Sequence, residues 1–458
     1  MCITGGSNLV TKVKHIRQAD QLLGFLITDG RNTLPTLVKL LEKYCSFSCT
    51  HQALSIFEHL HHPNLVFFNT LIRCSRPEIS IRLLVQKASD YRLIFDELTY
   101  LFGFGACARL RSSSSLRLGR QLHGRIWKHG YLSDLKIGAT LIHFYGRTND
   151  VASGRKAFDE MPERNIVTWN AMLSGYCKQG TKNSKSYLEA ILLFKELLSG
   201  GCQETPNGTS IVCVLSASAL LGAIEVGASL HGCIEKIIDL PENDVYIGTA
   251  LVEMYSKCGL LTDAFSIFER MAVKNVLTWS SMATGFALHG KGEAAVGFLD
   301  SMVQNGIMPN AVTFTCVLSA CCHSGLIKEG IHLFNCMKTT FGVSRTIQHY
   351  GCVVNLLCKG GHLREAYRTI MEMDGEADAI LWRILLSACQ FNGDAALGEE
   401  VGNILLEMQR NEKGDDASED YIALSNAFAS SGKWQEVERV RESMQMNRIH
   451  VKAGASFS

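Results

Sequence analysis

Apolar residues recur along this chain with helical spacing, most plainly between Val245 and Asn310. Leu251, Met254, Tyr255 and Cys258 fall at i, i+3, i+4 and i+7, one face of a helix. Gly259 interrupts, and Leu261, Ala264, Phe265, Phe268 and Met271 make a second apolar stripe. The plan then repeats. Trp279, Met282 and Phe286 lead to a break at His289 and Gly290, and Ala295, Phe298, Leu299 and Met302 follow. Gly306 and Pro309 end that stripe. Each span, 245–275 and 276–310, is predicted to be a helical hairpin. One hairpin has too little core to stand alone, and stacking many of them is the stable solution.

Most of the chain follows this plan. The spans 34–64, 135–165 and 245–275 align without a gap and close on Asn64, Asn165 and Asn275. Each runs into a hydrophobic turn, LVFFN, IVTWN or VLTWS, which opens 65–96, 166–207 and 276–310. A third type follows at 97–134, 208–244 and 311–346, marked by FGACARL, VLSASALLGAIEVG and VLSACCHSGLIKEG. Lengths near 36, 31 and 35 residues thus return as a triplet. The span 166–207 is longer, and its polar insertion TKNSKSY is expected in a surface loop. The span 65–96 is short, with Pro77 where its first helix should end. One more short span, 347–378, precedes looser helical pairs at 385–408 and 421–449, joined by the charged stretch NEKGDDASED, expected as a linker. The prediction is an all-α chain, an α-solenoid of stacked helix-turn-helix repeats. It has an N-terminal segment with a partial repeat (1–33), a repeat array (34–378) and a helical extension (379–458).

Composition narrows the function. The 458 residues are 47% hydrophobic and 19% charged, which excludes a disordered chain. Lys and Arg total 45 against 44 Asp and Glu, so bulk charge gives no hold on nucleic acid. Reading of individual bases stays open. The 17 cysteines show no C-x-x-C and are expected to be reduced and buried at small core positions. The least charged run, 211–224, is too short to span a membrane. The N-terminus lacks a secretory apolar region. It is free of acid until Asp20 and carries Lys12, Lys14 and Arg17, as an organellar transit sequence does.

Several runs together carry a resemblance: IVTWNAMLSGYCKQG, ALVEMYSKCG, AFDEMPERN, VLSACCHSGLIKEGIHLFN and IQHYGCVVNLLCKGGHLREAY. Over roughly 34–450 the chain resembles a plant pentatricopeptide repeat protein of the class with alternating P, L and S repeats, in the E subgroup without a deaminase domain. The resemblance implies a right-handed superhelix in a mitochondrion, or alternatively a chloroplast. It implies single-stranded RNA as partner, bound one base per repeat. The usual task is selection of a cytidine for C-to-U editing, with the deaminase recruited in trans at 379–450. Splicing, stabilisation or translation of organellar RNA is the alternative task. A protein-binding tetratricopeptide scaffold is a further alternative, but that family keeps a steady 34-residue period.

Base reading needs two or three polar side chains at fixed places in each hairpin. The fifth residue of each span lies early in its first helix, and the last lies just before the next helix. In stacked hairpins the two converge on one face. They are Asn69/Asp96, Asn170/Asn207, Thr249/Asn275 and Ser280/Asn310. Helix capping accounts for any one of these residues equally well. By the family's preferences, the first pair resembles a uridine reader, the second a pyrimidine reader and the last two adenosine readers. The pairs Val38/Asn64, Ala139/Asn165 and Gly351/Asp378 lack a polar fifth residue, and Leu101/Asp134, Val212/Asp244 and Thr315/Thr346 are poor candidates.

Catalytic chemistry is not expected. A zinc deaminase needs H-x-E and P-C-x-x-C, and neither occurs in these 458 residues. No cofactor and no metal site is predicted. GFALHGKG (285–292) nearly spells a phosphate loop, but Gly292 stands where Mg²⁺ needs a hydroxyl, and a helix precedes it. Cys45 and Cys49, one helical turn apart, are expected to be buried; His59, His61 and His62 are expected in an exposed loop. Asn207-Gly208-Thr209 spells a glycosylation sequon, and nothing else points to secretion.

Overall fold

The computed structural model describes residues 10–11, 13–29, 33–47, 49–58, 65–87, 94–178, 184–199, 204–373, 375, 377–411, 417–430 and 432–446. Among them every regular element is helical and none is a strand. The chain divides into two compact units, 1–221 and 222–458.

The first unit holds α1 (Ile16–Thr28), α2 (Leu34–Ser46), α3 (Thr50–Glu58), α4 (Leu65–Cys74) and α5 (Pro77–Arg82), which runs on as a wide turn over Leu83–Lys87. Then come α6 (Glu97–Leu110), α7 (Ser113–Lys128), α8 (Leu135–Arg147), α9 (Val151–Glu160), α10 (Ile166–Cys177), α11 (Ser184–Leu198) and α12 (Gly208–Leu221). The second unit holds α13 (Ile224–Glu235), α14 (Val245–Lys257), α15 (Leu261–Arg270), α16 (Val276–Leu288), α17 (Gly292–Gln304), α18 (Ala311–Ser324) and α19 (Ile327–Thr339). It closes with α20 (Ile347–Lys359), α21 (Leu363–Met371), α22 (Ala379–Asn392), α23 (Ala395–Asn411), α24 (Ala417–Ser430) and α25 (Trp434–Met446).

Local chemistry sets the ends of these helices. Asp96, Asp134, Asn165, Asn275 and Asn310 sit at N-caps, where each side-chain oxygen accepts a first-turn backbone N–H. The first helix of 65–96 ends at Cys74, just ahead of Pro77 as predicted, and Pro77 starts the next: it is the first residue of α5, where its missing N–H costs nothing. Gly325 and Gly393 close α18 and α22 in the left-handed conformation.

Two kinds of contact stack the hairpins. The second helix of one packs its aromatic ring against the first helix of the next: Phe158 meets Trp169 edge-on at 4.9 Å, and Phe268 meets Trp279 edge-on at the same 4.9 Å. Successive first helices also pack side by side, as α8 and α10 do. Their approach is close enough that a Cβ on Gly146 would lie 2.8 Å from the Gly175 Cα. The result is an α-solenoid, with its cores between successive hairpins.

Four expectations need correction. Phe265 is 40% exposed, and Ile267 takes the buried place in α15, because the stripe facing α14 and α16 runs through Ala264, Ile267 and Phe268. The described part of TKNSKSY is not loop: Ser184 starts α11, and Ser186 and Tyr187 are buried, the ring being apolar enough to pack. Ala417–Asp420 of the charged stretch already belong to α24. The 15 described cysteines are all free, but only Cys107, Cys321, Cys322, Cys358 and Cys389 are buried; Cys45 and Cys49 are half-buried and Cys233 is exposed. Hairpin edges, and not only cores, take these small side chains. His59, His61, His62 and Asn64 lie outside the described residues.

Candidate nucleic-acid interface

The fifth and last residues of four hairpins do meet. Asn69 lies one turn into α4, and Asp96 caps α6. Asn69 Nδ2 donates to Asp96 Oδ1 at 2.9 Å. That same oxygen accepts the Thr99 backbone N–H at 2.8 Å and the Thr99 hydroxyl at 2.7 Å. The hydroxyl also lies 2.7 Å from Asn69 Oδ1. Burial pushes the Asp96 carboxyl up, but the bonds from Thr99 and Asn69 outweigh it and hold the group below its ordinary value. Asp96 is therefore an anion at neutral pH. Among the described residues one Asn69 N–H and Asp96 Oδ2 have no partner, a donor beside an acceptor.

The second site has the same frame with different remaining atoms. Asn170 Nδ2 donates to Asn207 Oδ1 at 3.0 Å, and the Ser210 hydroxyl donates to Asn170 Oδ1 at 2.6 Å. The Ser210 backbone N–H fixes Asn207 Oδ1 at 3.2 Å. Asn207 Oδ1 is filled by two of these bonds, and the site keeps one Asn170 N–H and the Asn207 amide as donors beside a single lone pair on Asn170 Oδ1.

Thr249/Asn275 and Ser280/Asn310 are joined through a third side chain. Thr278 Oγ1 lies 2.7 Å from Thr249 Oγ1 and 3.1 Å from Asn275 Oδ1. Thr313 Oγ1 lies 2.8 Å from Ser280 Oγ and 3.1 Å from Asn310 Oδ1. Thr249 gives its own proton to the Val245 carbonyl at 2.6 Å, so it faces outward as an acceptor beside the Asn275 amide donors. Thr249 and Ser280 are nearly buried, whereas Asn310 is exposed.

The remaining described last residues are caps. Asp134 Oδ1 accepts from the Lys136 and Ile137 N–H groups, and Asp244 Oδ1 from Tyr246 and Ile247. Asn165 caps Thr168, and Asp378 caps Ile380. Thr346 shares its cap with His349, whose Nε2 reaches the Ala311 carbonyl at 2.7 Å. The near phosphate loop is the turn between α16 and α17. Its Gly290 and Lys291 N–H groups are bonded to Ala287 and Phe286 carbonyls, which leaves no cradle. Among the described residues no three His, Cys, Asp or Glu side chains are placed to hold a metal ion, and no helix is long and apolar enough to cross a membrane.

Two features beside the pairs are missed by the sequence pattern. In α4, α10, α14, α16 and α18 the second residue is apolar yet more than half exposed: Val66, Val167, Tyr246, Leu277 and Val312. A cleft of about 220 Å³ is lined by Leu277, Ser280, Thr284 and Val312, with Lys257 at its edge. Cations also end the first helices: Arg109, Arg147, Lys257 and Lys359 lie in last turns, and Lys178 caps α10. In each span these are the thirteenth residues, a periodicity that was available in the sequence.

Comparison with known proteins places this architecture. A family model described as PPR repeat matches 140–166, 167–181, 249–276, 312–339 and 349–376, and one described as PPR repeat family matches 274–323. The E motif model matches 393–457. The pentatricopeptide repeat-containing protein At3g18970 of Arabidopsis thaliana is 48% identical over 453 residues, 97% of this chain and 96% of its own. The chain belongs to the pentatricopeptide repeat family. Repeats followed by an E motif are the order of the family's PLS class, E subgroup. A second Arabidopsis thaliana pentatricopeptide repeat protein, At1g59720, named as chloroplastic/mitochondrial, is 34% identical, covering 91% of this chain and 66% of its own. Among solved structures, the maize pentatricopeptide repeat protein PPR10 in complex with an 18-nt psaJ RNA element shares the fold. The TM-score is 0.67 at 18% identity, over 96% of this chain and 64% of that one. The pentatricopeptide repeat chain is a helical scaffold.

Proposed function

We propose that this chain is a sequence-selective single-stranded RNA-binding protein of a plant organelle, and that it selects a cytidine for C-to-U editing by a deaminase supplied in trans. The observation that carries the reading is the set of four polar pairs, each with unspent donors or acceptors. A uracil edge offers a carbonyl acceptor beside the N3–H donor. That complements the donor of Asn69 and the acceptor of Asp96. The donors left at Asn170/Asn207 suit the O2 carbonyl acceptor that cytosine and uracil share. The acceptor of Thr249 and the amide of Asn275 suit the N6 amino group and N1 of adenine. Ser280/Asn310 offers an amide beside a hydroxyl that can accept as well as donate. The exposed apolar second residues give a base face something to rest on, and the cations ending the first helices give phosphates a partner without a basic overall charge.

With one base per repeat and the RNA running 5′ to 3′ from N- to C-terminus, spans 65–96 to 276–310 read U-x-x-Y-x-A-A, where Y is C or U. Each good pair supplies on the order of 1–3 kcal/mol, by analogy with bidentate base contacts in DNA. The fold shared with an RNA-bound protein and the relative named as chloroplastic/mitochondrial support RNA as ligand and an organelle as location. The E-motif match supports 379–450 as the deaminase-docking segment. Sequencing organellar transcripts from a plant lacking the protein tests the editing step. Loss of editing at a cytidine a few nucleotides downstream of such a site is expected, and an unchanged editing pattern would overturn it.

A further inference from the structure

The third residue of the following hairpin takes part in each candidate pair. Thr99, Ser210, Thr278 and Thr313 are at most 1% exposed, and each hydroxyl lies between the fifth and last residues of the preceding span. Resting on the RNA-reading function above, we propose that these four hydroxyls are positioning residues, which set the polar atoms each pair turns to a base.

Proton accounting supports this. A hydroxyl has one proton to give. Thr249 has given its proton to Val245, so the 2.7 Å bond to Thr278 must be donated by Thr278. That donation keeps the Thr249 lone pairs oriented, and the Asn275 amide is left pointing outward. At Ser210 the short 2.6 Å bond fixes Asn170 Oδ1 inward and so turns its amide N–H outward. The pairs Thr249/Asn275 and Ser280/Asn310 have no direct bond to each other among the described residues. There the hydroxyl reaches the fifth residue while the backbone N–H of the same Thr278 or Thr313 holds the last one at 3.0 Å, so one residue joins the two.

The other spans provide a contrast. Where the last residue is Asp134, Asp244 or Asp378, the third residue beyond it is Ile137, Ile247 or Leu381, and the fifth residue is Leu101, Val212 or Gly351. Three of these spans thus lack both the polar fifth residue and the hydroxyl; Ala139/Asn165 has a hydroxyl at Thr168, which bonds the Asn165 carbonyl at 2.8 Å, and Thr315/Thr346 has His349 in that place. The third residue also faces the fifth in such a span: a Cβ built on Gly351 would have Leu381 Cδ2 as its neighbour at 3.7 Å. One base is thus read by three side chains on two hairpins, and moving a pair without its third residue would transfer the preference incompletely.

The test uses the full chain, Thr278→Val, Thr278→Ser, and oligonucleotides differing only at the base opposite 245–275. Thr278→Val keeps the shape and the backbone N–H that Asn275 caps. It should cut the preference for A at that base by about tenfold, roughly one polar contact, and leave the other positions unchanged. Thr278→Ser should restore it. Thermal unfolding followed by circular dichroism reports folding, and Thr313→Val, read at the next base, serves if Thr278→Val does not fold. A folded valine variant that ranks the bases as the parent does overturns the positioning role. A parent protein that ranks no base at all overturns the RNA-reading function instead.

Discussion

Rebuilding one site as another puts the pair geometry at risk. Ser280→Asn with Asn310→Asp, beside the native Thr313, copies the set Asn69, Asp96 and Thr99 into the hairpin 276–310. Room exists: Ser280 lines a cleft of about 220 Å³ bounded by Leu277, Thr284 and Val312. In the copied geometry the amide donates to the carboxylate as Asn69 does to Asp96 at 2.9 Å, leaving a donor and an anionic acceptor outward. Adenine then loses its match, because its N1 lone pair meets a carboxylate. Uracil gains one through N3–H. Each change is worth on the order of 1–3 kcal/mol. A combined swing of about 2–4 kcal/mol is roughly 30-fold to several hundred-fold in relative affinity. The assay is equilibrium binding to oligonucleotides that vary only the final A of U-x-x-Y-x-A-A. Parent and double variant ranking the four bases alike would show these residues to be caps and not readers.

Other predictions bear on stacking and on pH. Gly146→Ala should destabilise the first unit by about 1–3 kcal/mol, because its Cβ would sit 2.8 Å from the Gly175 Cα, backbone against backbone. Gly124→Ala, with nothing within 4 Å, should hold or raise the unfolding temperature, and circular dichroism melts compare the two. Burial holds His123, His231 and His349 below their ordinary value of 6.5. The folded state keeps them neutral, so their contribution is complete above about pH 6.5 and is lost as pH falls through the folded values. Unfolding temperature should drop between pH 7 and pH 5, and His349→Gln should reduce the drop.

Much of the fold was legible because a helix buried along one stripe shows its period directly. The stripe through Met254 and Tyr255, and the one through Phe298 and Leu299, are buried as the spacing predicts. The last residues of the pairs were legible too, since Asn and Asp before an apolar run mark helix starts. Periodicity fails where it cannot distinguish a neighbour from solvent. Val66, Leu277 and Val312 look like core positions, yet they stand exposed beside the pairs, because the neighbouring first helices cover only part of each apolar arc. Phe265 fails the same way. Thr278 and Thr313 look like ordinary first-turn residues in sequence. Only stacking brings their hydroxyls within 2.8 Å of a side chain some thirty residues earlier.

The most direct measurement is a competition experiment with the purified full chain, a labelled oligonucleotide carrying U-x-x-Y-x-A-A, and competitors changed at one base each. Pairs that read RNA predict roughly tenfold or greater loss of affinity for a change at the U, Y or either A, and little change at the three x positions. No binding, or equal penalties at all seven positions, would contradict the reading of this chain as a base-selective scaffold.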